Sequence, residues 1–237
     1  MTRRSVFVSL ATLALFGLGS VALLAAPANQ KSSAKTTASA SKSSTPAPAA
    51  DEITVDGVKD IDPTKALGSK NAPVVMEVFT DFQCPACKQL YTTTLQRVVD
   101  NYVDNNKIYM VHRDFPLQMH AYSMQAALYA RAACHIGKCQ PVEDALFQNQ
   151  EKWEMSGDVK GTVAAVLSAA EMKKVEALVA SGTLQPLIEK DKQIGQAVPV
   201  TQTPTAILRT KDGQTYPIVG YVSYDVLKTG LLDLIFK

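Results

Sequence analysis

Two cysteines, Cys84 and Cys87, stand at C-x-x-C spacing shortly after an apolar run at 74–79 that predicts a buried strand. Apolar residues behind them recur at helical spacing, so the first sulfur is expected at a helix N-terminus. Unpaired N–H groups and the macrodipole favour an anion there, which lowers the pKa of a thiol. A strand, a C-x-x-C pair and a helix in this order are typical of a thiol–disulfide oxidoreductase site.

The dipeptide between the cysteines, Pro85 and Ala86, agrees with this placement, because proline is tolerated in the first helical turn. Apolar patterns predict four strands, at 74–79, 107–113, 205–209 and 215–220. Helical patterns predict a helix at 85–105, a run of helices within 119–196 and a last helix at 223–236. The first two strands and their helix form a βαβ unit with parallel pairing. The predicted order is β-α-β, a helical insertion, then β-β-α, an α/β fold.

The N-terminus predicts export. Arg3 and Arg4 precede an uncharged, mostly apolar run at 5–26, and Ala26 and Ala28 fit a small-x-small cleavage pattern. We therefore expect residues 1–28 to be a signal peptide. The run is also long enough to span a bilayer, so an uncleaved membrane anchor is the alternative. Both place the remaining chain in the periplasm or cell envelope, where disulfides persist.

Residues 29–50 are rich in Ser, Ala, Thr, Lys and Pro and contain no large apolar residue, which predicts a low-complexity flexible linker. The folded domain is expected at 51–237. Five of the 24 Lys and Arg lie before Asp51, and none of the 22 Asp and Glu do, so the domain holds 19 basic against 22 acidic residues. This balance gives no indication of a nucleic-acid partner.

The other two cysteines, Cys134 and Cys139, flank Gly137 where a predicted helix ends. Chain reversal at the glycine would bring them within bridging range, which predicts a local structural disulfide. A second redox-active pair and two separate thiols are the alternatives. A structural zinc site needs four suitably spaced ligands, and no His-x3–5-His pair accompanies the cysteines. We therefore predict no metal.

The chain resembles the DsbA-like branch of the thioredoxin superfamily over about 65–236. Four segments carry the resemblance: 66–73, 79–87, 113–117 with His120 following, and 203–205. It implies a thioredoxin-like fold with an inserted helical domain, here at about 117–197. It also implies an exported protein that exchanges disulfides with cysteine-containing client proteins.

The resemblance further gives Thr203 and Pro204 a role, as a cis-proline loop that faces the sulfurs and binds the client backbone. It implies a membrane redox partner, DsbB-like or vitamin K epoxide reductase-like. No cofactor is required, because the cysteines themselves carry the electrons. By the same analogy His120 lies at the rim of the site, although a surface or helix-start position is the alternative.

Two positions depart from the family. The residue six before the first cysteine is often a buried acid that accepts a proton, but here it is Val78. Glu77 precedes it, so strand alternation directs that carboxylate to the opposite face. The strongest oxidants of the family tend to carry His before the second cysteine, where this chain has Ala86. Thiolate stabilisation then rests mainly on the helix N-terminus.

These observations predict a thiol–disulfide oxidoreductase with Cys84 and Cys87 as catalytic residues, donating disulfides to folding exported proteins. A disulfide reductase or isomerase is the alternative within the same class. A non-redox chaperone and a copper(I)-binding module that uses the two thiolates are alternatives from another class. They predict unchanged function after Cys84→Ser, or metal bound at stoichiometry.

Overall fold

The computed structural model describes residues 57–198 and 200–237. The predicted signal peptide or anchor, the predicted linker and the first residues of the predicted domain lie outside the described residues. Across the described ranges, no helix combines the length and apolar character needed to cross a membrane.

Five strands form one mixed sheet in the order β1-β3-β2-β4-β5. Their bounds are β1 Ala66–Leu67, β2 Val74–Thr80, β3 Ile108–Asp114, β4 Thr205–Thr210 and β5 Thr215–Val219. The pair β2 and β3 is parallel, and the other three pairs are antiparallel. The predicted βαβ unit is therefore confirmed. The short edge strand β1 was not predicted, since two residues carry no readable period.

Helix α1 joins β2 to β3 and runs from Pro85 to Val103, with α-helical and π-helical turns alternating along it. Six helices follow β3: α2 Ser123–His135, α3 Cys139–Gln148, α4 Gln150–Ser156, α5 Val159–Ala164, α6 Ala169–Ala180 and α7 Gln185–Ala197. The last helix, α8, comprises Tyr224–Leu227, Lys228–Leu232 and Asp233–Ile235. The thioredoxin-like fold with a helical insertion is thus confirmed.

Two predicted helices differ from the structure. The helix expected from Met119 begins at Ser123, because residues before it form a turn in which the Tyr122 N–H donates to the Gln83 side chain over 2.9 Å. The helix expected at 141–153 is two helices that meet at Asn149. The Asn149 side chain donates to the carbonyl of Ala145 over 2.9 Å, a local bond of the kind that competes with a helical backbone.

A network of buried ion pairs joins the insertion to the sheet. Arg113 on β3 lies 3.0 Å from Glu77 on β2 and 2.9 Å from Asp191 on α7. Arg131 on α2 lies 2.8 Å from Asp114 at the end of β3. Removing one partner of such a buried pair leaves an uncompensated charge, so the network fixes how the insertion sits on the sheet.

The sulfurs of Cys134 and Cys139 are joined in a disulfide that links the end of α2 to the start of α3. Between them the chain reverses at Gly137, whose φ of 75° is readily adopted by glycine. The bond closes a loop with a sequence separation of only 5 residues.

Gly195 on α7 should be intolerant of a side chain. A Cβ there would lie 2.6 Å from the ring of Phe115, which follows β3. We expect Gly195→Ala to lower the free energy of unfolding in urea by about 1–3 kcal/mol, through overpacking. Gly230→Ala is the matched control, because a Cβ at Gly230 meets nothing within 4 Å. It should raise stability by about 0.4–1 kcal/mol, and equal effects of the two changes would contradict this account.

Loss of the Cys134–Cys139 disulfide should lower the stability of the fold only modestly. Because the closed loop is short, the chain-entropy model gives about 2 kcal/mol at 25 °C. We expect the double change Cys134→Ser and Cys139→Ser to lower the free energy of unfolding by about that amount and to leave insulin-reduction turnover intact. Loss of turnover in a folded variant would instead indicate a second redox pair.

Candidate active site

The C-x-x-C pair opens helix α1. Cys84 is the N-cap residue with extended backbone, and Pro85 occupies the first turn. The N–H groups of Cys87 and Lys88 donate to the carbonyl of Cys84 over 3.0 and 3.1 Å. The side chain of Gln150 on α4 donates to the same carbonyl over 3.1 Å. The insertion therefore helps to hold the first turn of α1 in place.

Both cysteines are free thiols, and both are buried to different degrees. Cys84 is 7% exposed and Cys87 is 0% exposed, so Cys84 is the sulfur nearer to solvent. Cys87 packs within the apolar core that includes Val78 of β2 and Leu90 of α1. An attacking thiol can therefore reach Cys84 first.

The pKa values of the two thiols are shifted in opposite directions. A hydrogen bond from Cys87 lowers the pKa of Cys84 to about 6, assisted by the Thr203 side chain and the N–H groups of Cys87 and Ala86, although burial opposes the shift. Burial, the hydrogen bond to Cys84 and the charge of Cys84 raise the pKa of Cys87 well above its usual range. The reduced site therefore holds one thiolate and one thiol at neutral pH.

The loop before β4 lies against the first sulfur. The Thr203–Pro204 peptide bond is cis, and the carbonyl of Thr203 lies 3.4 Å from the Cys84 Sγ. The Thr203 hydroxyl is buried beside the same sulfur and makes no other hydrogen bond among the described residues. The loop thus places Thr203 and Pro204 beside the cysteine pair.

The two departures from the family have structural counterparts. Val78 is buried on the face of the sheet that α1 covers. Glu77 lies in the ion network with Arg113 and forms a second ion pair with Arg209, so it belongs to the other face. Ala86 brings no charge to Cys84. No carboxylate therefore stands at position 78 beneath Cys87.

Asp81, which the sequence reasoning passed over, organises the active-site loop. Its backbone N–H donates to Cys87 Sγ over 3.5 Å, and its carboxylate accepts from the N–H of Gln83 over 2.7 Å. The same carboxylate accepts from the N–H of Leu117 over 2.8 Å and lies 2.7 Å from His120 Nδ1. The signal for the first turn was present, because Asp commonly bonds the backbone two residues on. Gln150 gave no such signal, since its contacts span 66 and 68 residues.

The three histidines are separate from one another, and each has its own carboxylate. His120 lies at the rim of the site beside Asp81, whereas His112 bonds Glu143 and His135 bonds Asp62. Among the described residues, Cys134, Cys139 and Glu143 have ligand atoms close enough for a metal ion. Two of these atoms form the disulfide, so they are not available as thiolate ligands.

Comparisons with known proteins agree with this site. A family model described as Thioredoxin matches residues 60–215. The "Probable disulfide bond formation protein D" of Bacillus cereus is 26% identical over 150 residues, covering 60% of this chain and 68% of that protein. The "Disulfide bond formation protein D" of Bacillus subtilis is 22% identical over 182 residues, covering 73% of this chain and 78% of that protein.

Among solved structures, Wolbachia pipientis alpha-DsbA1 aligns with a TM-score of 0.59 at 17% identity, covering 72% of this chain and 89% of that chain. At this identity the likeness shows the fold alone. The family match covers more than half of the sequence, and the relatives share its redox class. The chain belongs to the thioredoxin family, in which it is a DsbA-like protein thiol–disulfide oxidoreductase.

Proposed function

We propose that the protein is exported and donates disulfides to cysteine-containing client proteins through Cys84 and Cys87. The supporting observation is the asymmetry of the two sulfurs. Cys84 has a pKa of about 6 and lies nearer to solvent, whereas burial raises the pKa of Cys87. In a disulfide exchange, the sulfur that is attacked first must be reachable and the sulfur that is expelled must be retained inside the enzyme.

In the donor direction, a client thiolate attacks Cys84 Sγ and the Cys84–Cys87 bond breaks. The electron pair of that bond goes to Cys87. A second client thiolate then attacks the client sulfur of the mixed disulfide and releases Cys84 as a thiolate. Because a thiol of low pKa leaves readily, this last step favours the oxidised client. The client loses two electrons and the enzyme gains them.

The low pKa of Cys84 also supports the donor direction over the reductase alternative. Groups that stabilise the thiolate stabilise the reduced enzyme, which makes its disulfide a stronger oxidant. Here these groups are the Cys87 thiol, the Thr203 hydroxyl and two backbone N–H groups at the start of α1. None of them requires a cofactor.

The client backbone is proposed to bind beside Thr203 and Pro204. The Thr203 carbonyl lies next to the Cys84 sulfur, and no hydrogen bond of the described residues uses the Thr203 N–H. An extended peptide that reaches Cys84 can pair with this backbone as an added strand. Its cysteine would then lie in line with the sulfur that it attacks.

Export and the redox partner complete the proposal. The basic start and apolar run of residues 1–28 support secretion or anchoring in the cell envelope. A donor that turns over needs an oxidant for its reduced form. By family analogy this is a membrane protein of the DsbB-like or vitamin K epoxide reductase-like kind.

The acidity of Cys84 can be measured directly. In the reduced protein, the ultraviolet absorbance of the thiolate should rise with a midpoint at about 6. Cys84→Ser should remove this transition. Cys87→Ala should raise the midpoint, because the hydrogen bond from Cys87 is the main cause of the low value. A midpoint near the free value of about 8.5 in the unaltered protein would rule out an activated nucleophile.

The same shift sets a pH dependence of stability. The folded pKa of Cys84 lies below the unfolded value, so its contribution to stability is complete above about pH 8.5 and is lost as the pH falls through about 6. The free energy of unfolding of the reduced protein, relative to the oxidised protein, should therefore increase as the pH rises between these values. Denaturant titrations of both forms across this window measure the difference.

The exchange itself is tested by trapping. In Cys87→Ala protein the mixed disulfide at Cys84 lacks its resolving thiol, so covalent complexes with exported proteins should accumulate and disappear on reduction. Cys84→Ala is the matched control and should trap none. Covalent complexes that form without Cys84 would contradict this mechanism. Function that survives Cys84→Ala would instead support the chaperone alternative, and stoichiometric copper(I) bound to the unaltered protein would support the copper(I)-binding alternative.

A further inference from the structure

Each catalytic cycle requires a proton to reach Cys87. When the Cys84–Cys87 bond breaks, Cys87 is expelled as a thiolate, but burial raises its pKa well above the usual range and it takes up a proton. Cys84 stays a thiolate, so one proton enters the site on reduction and one leaves on reoxidation. Cys87 is 0% exposed, so this proton does not come from bulk water directly.

The position from which the family usually supplies this proton is occupied by Val78. Glu77, the neighbouring carboxylate, is engaged with arginines on the other face of the sheet. The cycle in this chain therefore needs a different proton carrier.

Asp81 and His120 connect the buried sulfur to the surface. The Asp81 N–H contacts Cys87 Sγ at 3.5 Å. The N–H and carboxylate of one aspartate are about 4 Å apart, so the carboxylate lies within about 7.5 Å of that sulfur, a range that one or two hydrogen-bonded water molecules can span. The Asp81 side chain is 0% exposed, whereas His120, bonded to it at 2.7 Å, is 20% exposed. His120 is thus the end of the pair that reaches solvent.

We propose that the Asp81–His120 pair is the proton relay between Cys87 and solvent. This role rests on the proposed function, in which Cys84 and Cys87 carry the exchange. His120 bonds Asp81 through Nδ1, which leaves Nε2 to exchange protons with water. A neutral imidazole can accept a proton and an imidazolium can donate one, so the pair can pass a proton in either direction.

The relay balances in both directions. During client oxidation, the proton moves from His120 through Asp81 to the Cys87 thiolate, and His120 recovers one from water at Nε2. During reoxidation, Cys87 gives its proton to the pair as its sulfur attacks the mixed disulfide at Cys84, and the partner's thiolate leaves. Neither direction consumes a further oxidant or reductant.

The segments around Asp81 and His120 carry other titratable groups. The start of α1 carries Cys84, Cys87 and Lys88, and Lys88 is paired with Glu151 of α4 at 3.0 Å. Asp114 at the end of β3 is paired with Lys65 and Arg131. Tyr122, at the start of α2, contacts the loop through its backbone N–H. Among the side chains of these segments, His120 is therefore the one that both bonds the Asp81 carboxylate and reaches solvent.

The test isolates the proton of Cys87. Reduced protein is mixed with dithiobis(nitrobenzoate), and release of the coloured nitrothiobenzoate thiolate is followed by stopped flow. The first release reports attack by Cys84, and its rate depends on reagent concentration. The second release reports attack by Cys87 on the mixed disulfide and is independent of that concentration. Because the leaving group departs as a thiolate, the Cys87 proton is the one proton transferred in the second phase.

His120→Asn is the central variant, because its amide can still donate to Asp81 but does not titrate. In the unaltered protein, the second phase should accelerate in a single step as the pH rises, because only a neutral His120 can accept the proton that Cys87 gives up. In His120→Asn that step should vanish and the second phase should slow about tenfold or more at about pH 7.5. The first phase should keep its rate. His120→Gln also removes the titrating ring but places its amide donor differently. An equal effect of the two variants would report loss of the ring, and a difference between them would report the position of the donor.

His135→Gln is the matched control. His135 also bonds an aspartate, Asp62, at 3.0 Å, but lies at the end of α2. The His135→Gln change should leave the rates of both phases and the pH step unchanged. The relay is overturned if His120→Asn retains the step, or if His135→Gln removes it. Loss of the first phase in unaltered protein would overturn the proposed role of Cys84 instead, so the two failures are distinguishable.

Discussion

The register of the central strands assembles the site. The parallel pairing of β2 with β3 aligns Thr80 with Asp114, so both chains leave the sheet at the same edge. The antiparallel pairing of β2 with β4 aligns Phe79 with Thr205, so Pro204 enters the sheet at that edge too. Three segments distant in sequence, holding the cysteine pair, His120 and the cis-proline, are thereby brought together. A slip by one residue would send each strand's side chains to the wrong face and separate them.

Local patterns were sufficient to predict the parts of the fold that have a period. The central strands, the helix behind the cysteines and the closing hairpin each carry enough apolar residues to show their spacing. The α3–α4 boundary was missed because Asn149 interrupts a run that is helical on both sides. The late start of α2 was missed because it depends on a hydrogen bond to Gln83, a residue 39 positions away.

Some residues of the site could likewise be predicted from local sequence, whereas others depend on tertiary packing. Cys84 and Cys87 were predicted from their spacing, and Thr203 and Pro204 were predicted from the family resemblance. Asp81 makes one local bond that a sequence can indicate, but its bonds to Leu117 and His120 depend on the packing of two loops. The ion network was beyond sequence reasoning, because its charges look like ordinary surface residues until the fold buries them. Lys65 is an example, since it lies 2.7 Å from Glu143 across 78 residues.

The pKa of Cys84 is low although no histidine stands at position 86. An imidazolium there would stabilise the thiolate through charge, and Ala86 contributes only its backbone N–H. The principal stabilisation comes from Cys87, a thiol that remains protonated because it is buried. The two shifts therefore have one origin, since the burial that keeps the proton on Cys87 also makes that proton available to Cys84. A single-residue change that admits water to Cys87 would weaken both shifts together, so the apolar packing of Val78 and Leu90 around this sulfur belongs to the redox chemistry as much as to the core.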